Sequence, residues 1–205
     1  MFINSSEKDH TLAQYFVGNC YDYGLGTIKN EKLSFEYYEK AANKNYAAAQ
    51  FGIGCSYKNG IGTEKDFKKA FYWCEKAANN GNILALFRLG SCYIDGIGTE
   101  KNYSKAFELF NQLVEEGYSG GIAKLGSCYI CGIGTKIDKQ KAFELYQNAA
   151  NLGDELAQNN LALMYEKGDG ITKDVDKAIY WYNKSANQGY EKAKNNLERL
   201  QTNNL

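Results

Sequence analysis

The sequence contains no proline. Proline lacks a backbone N–H and breaks helix interiors, so its absence suits a chain of helices joined by glycine turns. Histidine is almost missing too: the one copy, His10, lies near the N-terminus. That count disfavours His-based metal centres and catalytic triads, which need imidazole as ligand or base. Neither sign of charge is in excess, with 24 Lys and Arg against 24 Asp and Glu. A nucleic-acid binder normally carries a basic excess, so no nucleic-acid partner is expected. No apolar run approaches the roughly 18–20 residues that cross a bilayer, so no membrane insertion is expected. The opening MFINSSEKDH has no basic segment followed by an apolar core and does not read as a secretion signal. With 44% apolar and 23% charged residues, the 205-residue chain reads as a folded cytoplasmic protein.

What is present is a period. The hexapeptide GIGTEK begins at Gly60 and again at Gly96, and sliding the chain against itself by 36 residues aligns it without a gap. One glycine column runs Gly24, Gly60, Gly96, Gly132, Gly168, and a second runs Gly26, Gly62, Gly98, Gly134, Gly170. A tyrosine precedes each turn: Tyr21, Tyr57, Tyr93, Tyr129, Tyr165. An aliphatic column holds Val17, Ile53, Leu89, Leu125 and Leu161, and a small column holds Ala13, Ala49, Ala85, Gly121, Ala157 and Ala193.

Within a period the spacing is helical. Ala85, Leu89 and Tyr93 stand four apart and stripe one face of a helix over about 82–95. A glycine then follows where positive φ ends the helix. The second helix starts at a column of Asn30, Asp66, Asn102, Asp138 and Asp174, side chains whose oxygen caps orphan backbone N–H groups. It stops at Asn45, Gly81, Gly117, Gly153 and Gly189. Each period is therefore a helix, a GxG turn, a second helix and a glycine turn. One pair cannot bury its apolar face alone, whereas stacked pairs make a continuous core. The sixth copy stops after one polar helix carrying Lys192, Lys194, Glu198 and Arg199, as a cap should. Eleven helices are expected.

These columns resemble the Sel1-like repeat family, relatives of the tetratricopeptide repeats. The carrying residues read A-x-x-x-L-G-x-x-Y-x-x-G-x-G-T at Ala85, Leu89, Gly90, Tyr93, Gly96, Gly98 and Thr99. They continue as D/N-x-x-K-A-F and A-A-x-x-G, seen at Asp66, Lys69, Ala70, Phe71, Ala77, Ala78 and Gly81. The match covers about residues 9–200. It departs at Leu33 and Ser34, at Leu113 and Val114, and in the fifth turn, GDGIT. The resemblance implies an all-α, right-handed αα-superhelix forming a single solenoid over 1–205. Its repeats fall at about 9–45, 46–81, 82–117, 118–153 and 154–189, with a cap over 190–205. It also implies a non-catalytic adaptor of signalling or membrane-associated complexes, without cofactor, that binds a protein or peptide. Two alternatives come with it: a regulatory region of a longer, for example kinase-containing, protein, and a disulfide-stapled β-lactam-binding enzyme.

The remaining chemistry has a plain reading. A phosphate loop follows a strand and opens a helix, with a third glycine or a GK[ST], whereas GIGTEK follows a helix and recurs five times in related form. Cys128 and Cys131 form a lone C-x-x-C that could be a redox pair or half a zinc site. Yet Cys128 shares a column with Cys20, Ser56, Cys92 and Met164, which reads as packing. The two cysteines per repeat of the secreted relatives are not paired here, so reduced thiols and no metal are expected. Trp73 and Trp181 share a column with Leu109 and Leu145 and read as core aromatics.

By the resemblance, first helices line a concave groove. At 100° per residue the side opposite the core falls on four columns, in the third copy Leu84, Arg88, Ser91 and Asp95, with Phe87 at the edge. Early copies offer Leu12, Tyr15, Phe16, Tyr23, Phe51 and Leu84, and later ones Lys124, Asn159, Asn160, Lys167, Lys192 and Arg199. The expected ligand is a peptide with apolar residues at one end and acidic ones at the other. Phe2 and Ile3 are an alternative cover for the aromatic end.

Overall fold

The computed structural model describes residues 10–203. The alternative cover, Phe2 and Ile3, lies outside the described residues. Within them the chain is all helical, with eleven helices and no strand. The helices gather into two compact units, Met1–Asn102 and Tyr103–Leu205. The first holds α1 (Thr11–Tyr23), α2 (Glu31–Ala42), α3 (Ala47–Asn59), α4 (Phe67–Asn79) and α5 (Ile83–Asp95). The second holds α6 (Tyr103–Glu115), α7 (Ser119–Cys131), α8 (Lys139–Asn151), α9 (Glu155–Lys167), α10 (Val175–Asn187) and α11 (Glu191–Asn203). No described helix is long and apolar enough to cross a membrane.

The turn glycines do two different jobs. The first ends the helix: Gly60 adopts φ 74° and its N–H bonds to the carbonyl of Ser56, and Gly96, at φ 73°, bonds to Cys92. The second glycine is a point of close approach. A β-carbon on Gly62 would stand 2.1 Å from the carbonyl oxygen of Glu31, and on Gly134 2.3 Å from that of Tyr103. Each such turn therefore rests on the first residue of the preceding second helix. The GxG motif is a stacking element, which accounts for its recurrence.

The second helices start on side-chain caps. Asn30 accepts from the N–H of Leu33, Asp66 from Lys68 and Lys69, Asp138 from Lys141 and Asp174 from Lys177. Among the first helices, Asn82 and Asp154 supply such a cap, accepting from Ala85 and Ala157. Tyr46 and Tyr118 reach the same extended entry geometry without one.

Packing follows the columns. In the first unit Tyr38, Ala41, Ala42, Ala49 and Ile53 are buried together, with Phe35, Tyr57 and Trp73 against them. In the second, Ala142, Tyr146, Ala157, Leu161, Ala178 and Tyr182 form the centre of a larger core, with Trp181 at its edge. Each fully buried aliphatic side chain contributes about 1.5–3 kcal/mol. The small column permits close helix approach: a β-carbon on Gly121 would lie 2.3 Å from the Leu113 β-carbon. Neighbouring repeats also meet edge-to-face, Phe35 on Tyr57 at 5.4 Å and Phe143 on Tyr165 at 5.5 Å between ring centres. Trp73 and Trp181 are half-buried rather than fully internal, and Lys76 and Lys184 lie over their rings.

Buried glutamines add a polar link between repeats. Gln50 donates to the carbonyl of Ala42 at 3.2 Å and accepts from Asn80 at 2.8 Å. Gln158 repeats the pattern, donating to Ala150 and accepting from Gln188. Both amides are thereby satisfied where water is excluded.

Candidate partner-binding surface

In the first unit the outer faces of α1 and α5 are open and apolar in part. Leu12 is 53% exposed, Phe16 40%, Tyr23 70% and Leu84 48%. Asp95 is exposed, and Arg88 is half-buried above the thiols of Cys55 and Cys74. Tyr15, Phe51 and Phe87 differ from the expectation of an open groove, for all three are half-buried. The reason is visible at Tyr15, whose ring meets Tyr46 at 5.0 Å and Tyr38 at 5.8 Å. At Tyr15 this position is turned toward the second helix of its own repeat and the entry to α3.

The second unit continues that correction. Asn159, expected in the groove, is only 5% exposed; its side chain donates to Asn160 and accepts from Asn196 of α11. Lys124 and Asn160 are half-buried, and Lys167 and Lys192 are exposed. Arg199 is committed elsewhere: it binds both carboxylate oxygens of Glu166, at 2.6 and 2.8 Å, and Tyr182 donates to the same carboxylate. Asp169 is likewise paired with Lys139.

Between α7 and α9 lies a hollow of about 220 Å³. Its walls are Ile130, Leu163 and Met164, with Tyr146, Asn160, Lys167 and Asp169, the last paired with Lys139, as its polar members. Tyr146 donates to the hydroxyl of Ser127 at 3.0 Å, and burial pushes its phenol up to about 12, so it stays neutral. Asn160 and Lys167 were legible as face residues, but the apolar walls were not. The available signal was the column Asn19, Cys55, Ser91, Ser127, Leu163, which becomes aliphatic only at Leu163.

All six cysteines are free. Burial pushes the Cys128 thiol up to about 11, the opposite of the lowered value that makes a redox cysteine reactive, while Cys131 is exposed. Cys74 is pushed up to about 12, by burial first and then by Cys55 and Cys92 nearby. Among the described residues no group of three or more His, Cys, Asp or Glu side chains is placed to hold a metal ion.

Helix pairs repeated every 36 residues, with glycine turns resting on the preceding pair, define an αα-repeat protein of the superhelical class. The Sel1 repeat model matches residues 11–46, 47–82, 83–118, 120–154 and 156–190, and the chain belongs to the Sel1 repeat family. Its members are generally protein–protein interaction scaffolds. Among solved structures, a Sel1 repeat protein from Oxalobacter formigenes is 38% identical with a TM-score of 0.90, covering 92% of this chain and 75% of that one. The c5321 protein, a protective antigen of uropathogenic Escherichia coli strains, is 29% identical with a TM-score of 0.84. That match covers 97% of this chain but only 43% of c5321. None of the curated protein sequences matches this chain.

Proposed function

We propose that this chain is a non-catalytic, cytoplasmic adaptor that binds a protein or peptide partner through the first-helix faces of its repeats. The observation that carries this reading is the contrast between columns. Inward positions repeat nearly the same residue, whereas outward ones differ in every copy: Phe16, Gly52, Arg88, Lys124, Asn160 in one, and Tyr23, Asn59, Asp95, Cys131, Lys167 in another. A uniform framework carrying diverse outward side chains is the arrangement recognition requires, since exposed aromatic and cationic groups make good anchors. The reading assigns no cofactor or catalytic step and treats residues 1–205 as one solenoid.

Capture of partners by the intact chain, identified by mass spectrometry, is the first test. Phe16→Ala with Tyr23→Ala and, separately, Lys124→Glu with Lys167→Glu should each weaken a captured partner without lowering the melting temperature, the second pair in a salt-dependent way. A partner held equally by both double mutants removes the first-helix faces from consideration. For the single solenoid, destabilising α11 should lower the melting of the first unit as well; an unchanged first unit would mean that the two melt independently.

A further inference from the structure

The hollow of the second unit combines shape and charge in a way that narrows the partner. Its volume of about 220 Å³ lies below the roughly 300–1,000 Å³ of pockets that enclose a whole drug-sized ligand, so it suits a single side chain. Ile130, Leu163 and Met164 make the walls aliphatic. The acids nearby are already matched: Asp169 is paired with Lys139, and Glu166 is held by Arg199 and Tyr182. Lys167, at the rim, makes no ion pair with any described residue.

We propose that this hollow anchors one leucine- or methionine-sized side chain of a partner polypeptide, with an acidic residue beside it on Lys167. The inference rests on the adaptor reading and names the partner's chemistry at one place. The aliphatic group is sheltered by the three apolar walls, beside an Asn160 side chain held in place by Asn159 and Tyr146. The acidic neighbour gains a charge-assisted hydrogen bond from a lysine that no described residue pairs with. An all-basic segment meets repulsion at the same rim, so the hollow selects by sign as well as by size.

The test uses the intact chain, isotope-labelled, titrated with acetyl-Glu-Leu-Glu-amide while backbone amide shifts are recorded. Saturable shifts are expected at Ile130, Asn160 and Lys167, and acetyl-Glu-Gly-Glu-amide and acetyl-Lys-Leu-Lys-amide should bind at least about tenfold more weakly. Lys167→Glu should weaken binding of the acidic peptide by about tenfold at low salt and much less at high salt. Leu163→Trp should abolish it by filling the hollow; should that variant fail to fold, Lys167→Glu, at an exposed position, still decides. Lys184→Glu on α10 should change nothing. Equal binding of the acidic and basic peptides, indifference to Lys167→Glu, or no saturation by about 10 mM overturns the proposal. A captured partner lost with Phe16→Ala and Tyr23→Ala but kept with Lys167→Glu would overturn the hollow and leave the adaptor reading standing. Failure to capture any partner while the peptide still binds would do the reverse.

Discussion

A β-carbon on Gly98 would stand 2.0 Å from the carbonyl oxygen of Phe67, whereas one on Gly26, at nearly the same φ, meets no described atom within 4 Å. The two glycines share a turn conformation and differ in what lies against them. This separates the cost of the conformation from the cost of the contact. Gly26→Ala should lose about 1–2 kcal/mol, the penalty of placing an ordinary residue at positive φ. Gly98→Ala should lose on the order of 3–5 kcal/mol, because the preceding helix must also move. Chemical denaturation of both variants checks this, and equal losses would show that the contact carries no energy.

Gln50 links α3 to the end of α2 and to the residue after α4. Replacing it with leucine, the residue that stands at position 86 in the same column, keeps the volume but removes two hydrogen bonds, the one to the Ala42 carbonyl, which keeps the N–H of Asn45, and the one from Asn80. A loss of about 1–3 kcal/mol is expected. Gln158→Leu should behave alike. A neutral result in thermal melting would show that these two side-chain bonds add no net stability.

Alkali should unfold the protein earlier than its net charge suggests. Cys74 and Cys128 are raised from 9.0 to about 12 and about 11, and Tyr146 from 10.0 to about 12, in each case chiefly by burial. A raised folded value means that the folded state holds its proton where the unfolded chain has released it. The stability is therefore full below the unfolded values and falls as pH rises from 9 through about 11–12. Denaturant midpoints at about pH 8 and about pH 10.5 should differ markedly, and Cys128→Ala should reduce the difference. A flat profile across that interval would contradict the burial of these groups.

Arg199 fastens α11 to α9 through Glu166. The arginine is 45% exposed, so Arg199→Ala should cost only about 1 kcal/mol, and less at high salt. Amide exchange should rise first in α11. If the whole chain loosened uniformly, α11 would not be acting as a terminal cap.

The period made the scaffold legible because backbone conformation was written in residue types that admit few substitutes. Gly96 marks a helix end, and Asp66 and Asp138 mark helix starts, and the structure puts both kinds of boundary where the columns do. The face was less legible. A helical wheel distinguishes the core from its opposite, but a first helix here has a further neighbour on its flank. That flank took in Tyr15, against Tyr46, and Asn159, against Asn196, which the wheel alone left outside. The hollow escaped notice for a related reason: Ile130 and Leu163 come from different helices, and no periodicity along one helix brings them together.

The carbonyls beneath Gly62, Gly98, Gly134 and Gly170 belong to Glu31, Phe67, Tyr103 and Lys139, an acid, two aromatics and a base that meet the turn through main-chain or β-carbon atoms. The joint is therefore indifferent to which side chain occupies the helix start and exacting only about the glycine above it. Recombination that adds or removes a whole 36-residue unit in phase keeps such a joint intact whatever drift its neighbours have undergone. Repeat number can change in one genetic event, while a single-residue slip of the same junction would put a side chain into the carbonyl.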